Sequence, residues 1–173
     1  DDPSLNISMA LVPGVYEQNL QNALITLAET TQEFLAVVSP PEGIGNAQAA
    51  IDWSNGLHSL RTAAINSSYA AIYYPHIKAF SVFDSKDRFY DPAIFAVRQM
   101  CVTDAVADPW FAPAGFNRGR LTKPTEVEVK LGQGDRDTLY SGGNVINPIV
   151  AFPQQGITIF GQRTAQRKPT ALD

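Results

Sequence analysis

The sequence predicts an α/β fold: a small, mainly parallel sheet with helices on its faces, followed by a hairpin-containing C-terminal extension. Two observations predict it. Strand-like and helix-like segments alternate as βαβαβ over residues 1–80, and a βαβ unit closes by a right-handed crossover that leaves its strands parallel. Residues 34–41 form a continuous apolar run with β-branched side chains, which suits a strand covered on both faces. The whole chain of 173 residues fits one compact domain.

The first βαβ unit occupies the start of the chain. Residues 6–14 alternate apolar and polar side chains and end in Pro-Gly, which predicts a strand and a turn. Residues 16–28 place apolar side chains at three- and four-residue steps, which predicts a helix with one buried face. The apolar run at 34–41 is the second strand, and two prolines end it.

The pattern then repeats once. Residues 47–65 are predicted to be mostly helical, with a weak point at Asn55-Gly56. Residues 67–80 are the third predicted strand, which can bend at Pro75. Together these segments make residues 1–80 the α/β half of the predicted domain.

Residues 81–173 form the second predicted half. It opens on a hairpin at 80–90, where a polar turn separates two aromatic arms. A helix follows, with Asp91 as its N-cap and Pro92 in its first turn. Its predicted buried face consists of Ile94, Phe95, Val97, Cys101, Val102 and Ala105.

In the rest of this half the sequence predicts short strands and one short helix. Residues 126–131 alternate Glu and Val, as in a strand with its carboxylates in solvent and its valines inside. Residues 135–143 predict a short helix ended by glycines. Residues 144–164 predict two strands around a turn at 153–156.

Composition excludes several classes of protein. The formal net charge is −4 and the cations are scattered apart from a few at 163–168, so nothing predicts a nucleic-acid partner. No apolar run reaches membrane-spanning length, and no membrane insertion is expected. The single cysteine, Cys101, fits a reducing cytoplasm. The chain begins without Met and stops in a polar stretch, so we expect it to be a piece of a longer polypeptide.

Nucleotide and hydrolase motifs are incomplete. The turn at 43–48 has Gln48 where a dinucleotide fingerprint requires its third glycine. The glycines at 115–119 lack the Gly-Lys-Ser/Thr ending of a P-loop. A His58–Asp52–Ser59 site stays open as a weak alternative, because nothing in the spacing links these residues. No catalytic and no cofactor-binding residue is therefore predicted.

Acidic pairs occur where turns and helices begin. Asp84/Asp87 and Asp135/Asp137 are predicted to serve a turn and a helix start rather than a metal. Glu126 and Glu128 share one strand face, predicted to be the solvent face. No metal site is predicted. The aromatic residues at 80–90 lack a cationic groove for stacking bases and are predicted to pack or to form an interface.

Four motifs, in this order, resemble the contractile tail sheath family of myophages, tailocins and contractile injection systems. They are a Ser-x-Tyr-Ala-Ala strand, a Thr-Asp pair followed by Trp, Pro-Ala-Gly and Asn-Arg-Gly, an Asn-Val-Ile segment, and a Phe-Gly-x-Arg-Thr end. Many sheath proteins have Arg before Thr-Asp and Gly in the preceding helix, where this chain has Val102 and Arg98. The residues that carry the resemblance are Tyr69, Trp110, Pro113, Gly115, Asn117, Arg118, Gly119, Asn144, Gly161 and Arg163.

The resemblance implies a structural role without catalysis or cofactor. Sheath subunits stack as hexameric rings around a tail tube and contract on a baseplate signal, which drives the tube through the host envelope. It implies location in the virion tail, and in the host cytoplasm during assembly. It also implies that the aromatics of 110–119 anchor that loop to the core, while Arg118 makes a charge pair within the fold or with a neighbour. A nucleotide-binding or hydrolytic enzyme and another virion assembly module stay open as alternatives.

Overall fold

The structure is a computed structural model that describes residues 7–108, 110–141 and 143–167. Residue 6 of the first predicted strand and residue 168 of the cationic run lie outside the described residues. In chain order the elements are β1 (Met9–Ala10), α1 (Gln18–Thr31), β2 (Leu35–Val38), α2 (Ala47–Ser54), β3 (Ala70–Tyr74), β4 (Ile77–Ser81), β5 (Lys86–Tyr90), α3 (Pro92–Val106), α4 (Gly115–Arg118), β6 (Glu126–Val127), α5 (Gln133–Tyr140), β7 (Ile146–Phe152) and β8 (Gly156–Ile159).

A five-stranded sheet forms the centre of the fold. Its strand order is β1-β2-β3-β7-β8. The first four strands are parallel, with Val38 paired to Ile72 and Ile72 paired to Ile146, and β8 returns antiparallel to β7. The predicted mainly parallel sheet and the predicted C-terminal hairpin are both confirmed. Strands from both halves of the chain enter this one sheet.

A second, three-stranded antiparallel sheet has the order β5-β4-β6. The predicted hairpin at 80–90 is confirmed as β4 paired with β5. The single strand predicted at 67–80 is wrong, because the chain leaves the central sheet after Tyr74 and enters the small sheet at Ile77. Pro75 has no N–H to donate to a strand ladder, so the central strand ends before it.

The predicted helix at 47–65 is too long. Helix α2 begins at its N-cap Asn46, whose side chain accepts a hydrogen bond from the N–H of Ala49 (2.8 Å), and it ends at Ser54. Gly56 then adopts φ +72°, and a Cβ there would lie 2.7 Å from Ala64 N. The chain turns sharply at this point because only glycine fits both the dihedral angle and the close backbone approach.

Helix α3 has the predicted start and a different buried face. The Asp91 carboxylate accepts a hydrogen bond from the N–H of Ala93 (2.9 Å), which confirms the N-cap. Of the predicted apolar face, Phe95 is buried, whereas Ile94, Cys101, Val102 and Ala105 are exposed. Small and polar side chains face the sheet instead, where they can approach it closely: Pro92, Ala93, Ala96, Gln99 and Thr103.

Apolar side chains cover both faces of the central sheet. On one face α1, α2 and α5 pack over Val38, Ile72 and Ile146. On the other, α3 and the small sheet pack over Val37, Ala71 and Tyr73. Neighbouring residues of β2 and β3 thus enter opposite cores, as the period of a strand requires. This two-sided burial explains the continuous apolar runs in the sequence.

Candidate interaction surface

The loop at 110–119 is fastened to the fold at its C-terminal end. Gly119 is buried, its carbonyl accepts a hydrogen bond from Ile159 N (2.8 Å), and its own N–H donates to Gly115 O (2.7 Å). Leu121 N then donates to Ile157 O (2.8 Å). Gly115 adopts φ +80° and begins the one-turn helix α4. The loop is therefore held against β8 by backbone contacts.

The aromatic residues of this loop are not core anchors. Trp110 is 79% exposed and Phe116 is 49% exposed, so the expectation that they anchor the loop in the core is wrong. Phe116 instead joins a surface cluster with Phe152 (ring centroids 4.9 Å apart) and Phe160 (5.5 Å). An apolar surface is left facing solvent here, and apolar patches of this kind mark contact sites.

Arg118 turns back onto its own loop. Its guanidinium carbon lies 4.5 Å from the centroid of the Phe111 ring, and its Nε donates to the carbonyl of Ala112 (3.2 Å). Its own carbonyl accepts from the side chain of buried Gln99. Arg118 therefore stabilises the loop from within the fold, by a cation–π contact and a hydrogen bond.

A groove of about 380 Å³ runs between this loop, α3 and the edge of the central sheet. Its apolar lining comes from the sheet (Met9, Leu35), from α3 (Met100) and from the loop (Trp110, Pro113). Asp104 and Arg163 also line it. Three of the residues that carry the family resemblance, Trp110, Pro113 and Arg163, thus come together at one groove.

The segment that follows β8 is fixed by Asn147, a residue that is fully buried in β7. The Asn147 side-chain amide donates to the carbonyl of Arg163 (2.8 Å) and accepts from its N–H (2.7 Å). The Arg163 guanidinium donates to the carbonyl of Tyr140 (2.9 Å). Sequence reasoning missed Asn147, although an amide side chain inside an apolar strand signals a buried hydrogen-bonding role.

Gly161 lies where this segment crosses β7. A Cβ there would come within 2.9 Å of Asn147 Oδ1, Pro148 Cδ and Tyr140 Cε2. The remaining predicted residues lie outside the groove. Tyr69 packs against the core and its carbonyl accepts from Ala36 N (2.8 Å), Asn144 donates to the carbonyl of Thr138 (3.2 Å), and Asn117 is exposed.

Among the acidic residues, Asp84, Asp135 and Glu126 have the roles predicted for them, whereas Asp87 lies within β5 rather than in the turn and Asp137 lies inside α5. Asp84 pairs with Arg88 in the hairpin turn (2.5 Å), and Asp135 accepts from Gly132 N at the start of α5 (2.9 Å). Glu126 is exposed and pairs with Lys78. Glu128 is wrong as a solvent-facing residue: its side chain is 15% exposed and turns towards His76. The reason is that β6 ends at Val127, so the strand alternation does not continue to Glu128.

The structure shows separate hydrogen bonds for Asp52 and His58, two residues of the His58–Asp52–Ser59 alternative. Asp52 accepts from the side chain of Gln48 (2.9 Å) and His58 Nδ1 accepts from Leu60 N (3.2 Å), so each of these hydrogen bonds engages a different partner and neither joins Asp52 to His58. Within the described residues no group of three metal-ligating side chains is present. No helix in the described part of the chain is long and apolar enough to cross a membrane.

Known proteins with similar sequences belong to the family that the motifs resemble. The chain is 31% identical over 165 residues to the tail sheath protein of Vibrio phage KVP40, which covers 87% of the chain. It belongs to the tail sheath family. It is also 27% identical over 164 residues to the tail sheath protein of Enterobacteria phage T4. The sheath chain spans 24% of the length of each of these relatives. No protein-family model matches it.

Solved structures share the fold. This sheath chain superimposes on a chain of the anti-feeding prophage baseplate with a TM-score of 0.68 at 19% identity, covering 93% of this chain and 38% of that one. It superimposes on a chain of the contracted sheath complex of an extracellular contractile injection system with a TM-score of 0.67 at 23% identity, covering 92% and 40%. These two chains therefore share the fold of this chain.

Proposed function

We propose that this chain is the core part of a sheath subunit that forms stacked hexameric rings around a tail tube and contracts to drive the tube through the host cell envelope. The identity of 31% to a phage tail sheath protein over 87% of the chain carries the proposal. The partners would be other sheath subunits, the tube and the baseplate. The protein would reside in the virion tail, and in the host cytoplasm during assembly.

The architecture suits a part that moves as a rigid body. Both faces of the central sheet are covered, and residues 1–80 and 81–173 contribute strands to it; we treat them as two halves of one domain. Contraction then rearranges contacts between subunits and leaves each core intact. The aromatic loop and its groove supply an apolar surface for such contacts. Contraction by this rearrangement of contacts requires neither a cofactor nor a catalytic residue.

The full-length protein should assemble into tubes that exist in two forms, a long narrow one and a short wide one. Negative-stain electron microscopy of the purified full-length protein, before and after a contraction stimulus, measures both diameters. Absence of tubes under all assembly conditions would contradict the sheath proposal. A rise in the melting temperature with added nucleotides would favour an enzyme on the same α/β core.

The present chain by itself should be monomeric. It spans 24% of the length of its curated relatives, and the family resemblance implies that sheath subunits bind one another through terminal arms that exchange strands with neighbouring subunits. Sedimentation velocity at several concentrations measures its mass against the 18.8 kDa of one chain. Rings or tubes formed from this chain alone would overturn the prediction.

A further inference from the structure

A buried histidine lies between the two sheets. His76 is 1% exposed, and its Nε2 is 2.9 Å from the hydroxyl of Tyr16. Its Nδ1 is 3.6 Å from Glu128 Oε2, which is beyond hydrogen-bonding distance. Among the described residues, neither His76 Nδ1 nor Glu128 Oε2 has a hydrogen-bond partner. Two unpaired buried polar atoms side by side are uncommon in folded proteins, because buried polar groups are usually hydrogen-bonded.

Glu128 connects separate parts of the chain at this point. Its Oε1 accepts from Gly43 N (2.7 Å), in the loop that follows β2, and its own N–H donates to the carbonyl of His76 (2.9 Å). Nearby Asp91 accepts from Ser39 Oγ (2.6 Å) and from Gly14 N (3.1 Å). The cluster thus lies where β2, β3 and the segment after β6 meet.

We propose that His76 and Glu128 form an acid-sensitive latch that fastens the small sheet to the loop after β2, closed while His76 is neutral and opened when His76 is protonated. When His76 is protonated, its charged imidazole must either stay buried, which costs free energy, or become exposed to water. Glu128 is near enough to attract that charge but does not hydrogen-bond to it. Exposure of His76 therefore becomes favourable as the pH falls.

The groups around His76 set the direction of its pKa. Burial, the largest influence, lowers the pKa of His76, and the charges of Glu128, Asp91 and Glu42 oppose this by raising it. Tyr16 faces the other ring nitrogen, and burial raises the pKa of its phenol, so that Tyr16 stays neutral. The net direction is down from the ordinary histidine value of 6.5.

A lowered pKa fixes the sign of the pH dependence. The unfolded or opened chain binds a proton at a higher pH than the closed chain does. The closed form is therefore fully favoured above about pH 6.5 and loses stability below it, until the pH reaches the lower pKa of the folded state. For one group the equilibrium constant changes by at most about tenfold per pH unit.

Strand β6 and the residue that follows it, Glu128, are the part that would open. Strand β6 has two residues and pairs with β4 through Ile77–Val127 and Lys78–Glu126. Its exposed ion pair, Lys78–Glu126, contributes little. Opening this short edge strand hydrates His76 and withdraws Val127 from the core on one face of the central sheet, while the pairing of the central strands is kept, and local openings of this kind need less free energy than global unfolding.

A nuclear magnetic resonance titration tests the proposal directly. The chain has two histidines, His58 and His76, so their ring signals can be followed separately and assigned with His58→Gln. We expect His76 to titrate below the ordinary histidine pKa, and Glu128→Gln to lower its midpoint further, because the amide keeps an acceptor for Gly43 but loses the charge. Titration of His76 at or above the ordinary value would overturn the latch.

A stability measurement provides the second arm. Urea unfolding of the chain at pH 7.5 and pH 5.5 should show a loss in acid that His76→Gln reduces and His58→Gln leaves unchanged. If His76→Gln does not fold, amide exchange of Val127 and Glu128 in the unaltered chain, corrected for intrinsic rates, should accelerate in acid. Unchanged exchange, or an acid loss that His76→Gln retains in full, would contradict the proposal. Both readouts use the isolated chain and do not depend on sheath assembly.

Discussion

Replacing Gly119 by alanine should destabilise the chain by about 3 kcal/mol, near the upper end of the usual effect of overpacking. A Cβ at this position would lie 2.4 Å from Ile159 O and 2.8 Å from the backbone N and O of Gly115. All three contacts are with backbone atoms, so no side chain can rotate away. To accept the methyl group, the 110–119 loop would have to separate from β8, and their backbone hydrogen bond at Gly119 would weaken.

Two other glycines serve as matched controls for Gly119→Ala. Gly115→Ala meets no atom within 4 Å but requires φ +80°, so we expect a loss of about 1 kcal/mol. Gly45→Ala meets neither obstacle and should change stability by less than about 0.5 kcal/mol. Urea unfolding followed by circular dichroism gives the three values. Equal losses at Gly119 and Gly45 would contradict the close packing of the loop on β8.

The sequence predicted those elements whose signals are local. The apolar run of β2, the Asp91-Pro92 start of α3 and the turn between β7 and β8 each depend on a few adjacent residues, and each is confirmed. The crossover rule for βαβ units also predicts parallel strands, and β1, β2 and β3 are parallel. Local chemistry therefore indicates which elements are present, whereas several of their ends differ from the prediction.

The wrong predictions concern side chains whose burial depends on contacts with distant parts of the chain. The interior face of α3 contains Ala96, Gln99 and Thr103, because small side chains let the helix approach the sheet and Gln99 finds the carbonyl of Arg118. Trp110 is exposed although its hydrophobicity favours burial. Hydrophobic side chains tend to be buried, but the packing of the whole chain determines which of them are.

The inward turn of Glu128 and the role of Asn147 have the same origin. Glu128 is mostly shielded from solvent because the segment after β6 passes over His76 and the loop after β2. Asn147 is required because the chain after β8 crosses back over β7 and leaves the backbone of Arg163 to be satisfied. Neither crossing is encoded near the residue that serves it, so the sequence can signal that Asn147 is buried and hydrogen-bonded but not which part of the chain it contacts.

Replacing Trp53 by alanine should have the largest effect of any single truncation in this chain, a loss of about 4 kcal/mol. Trp53 is fully buried in the core formed with α1, α2 and α5. The guanidinium carbon of Arg61 lies 5.1 Å from the centroid of its ring, and Arg61 is 1% exposed. Burial lowers the pKa of Arg61 to about 10, so its charge persists at neutral pH and loses a favourable aromatic neighbour when the ring is removed.

The second tryptophan is the control. Trp110 is 79% exposed, so Trp110→Ala should change the free energy of unfolding by no more than about 0.5 kcal/mol. Urea unfolding at pH 7.5, followed by circular dichroism, compares the two variants, and the fluorescence of Trp110→Ala reports Trp53 alone. If Trp53→Ala is unfolded without urea, Trp53→Phe gives a graded loss, since it retains a ring beneath Arg61. Comparable losses for the two alanine variants would mean that Trp110, like Trp53, is buried, and would remove the aromatic contact surface on which the groove depends.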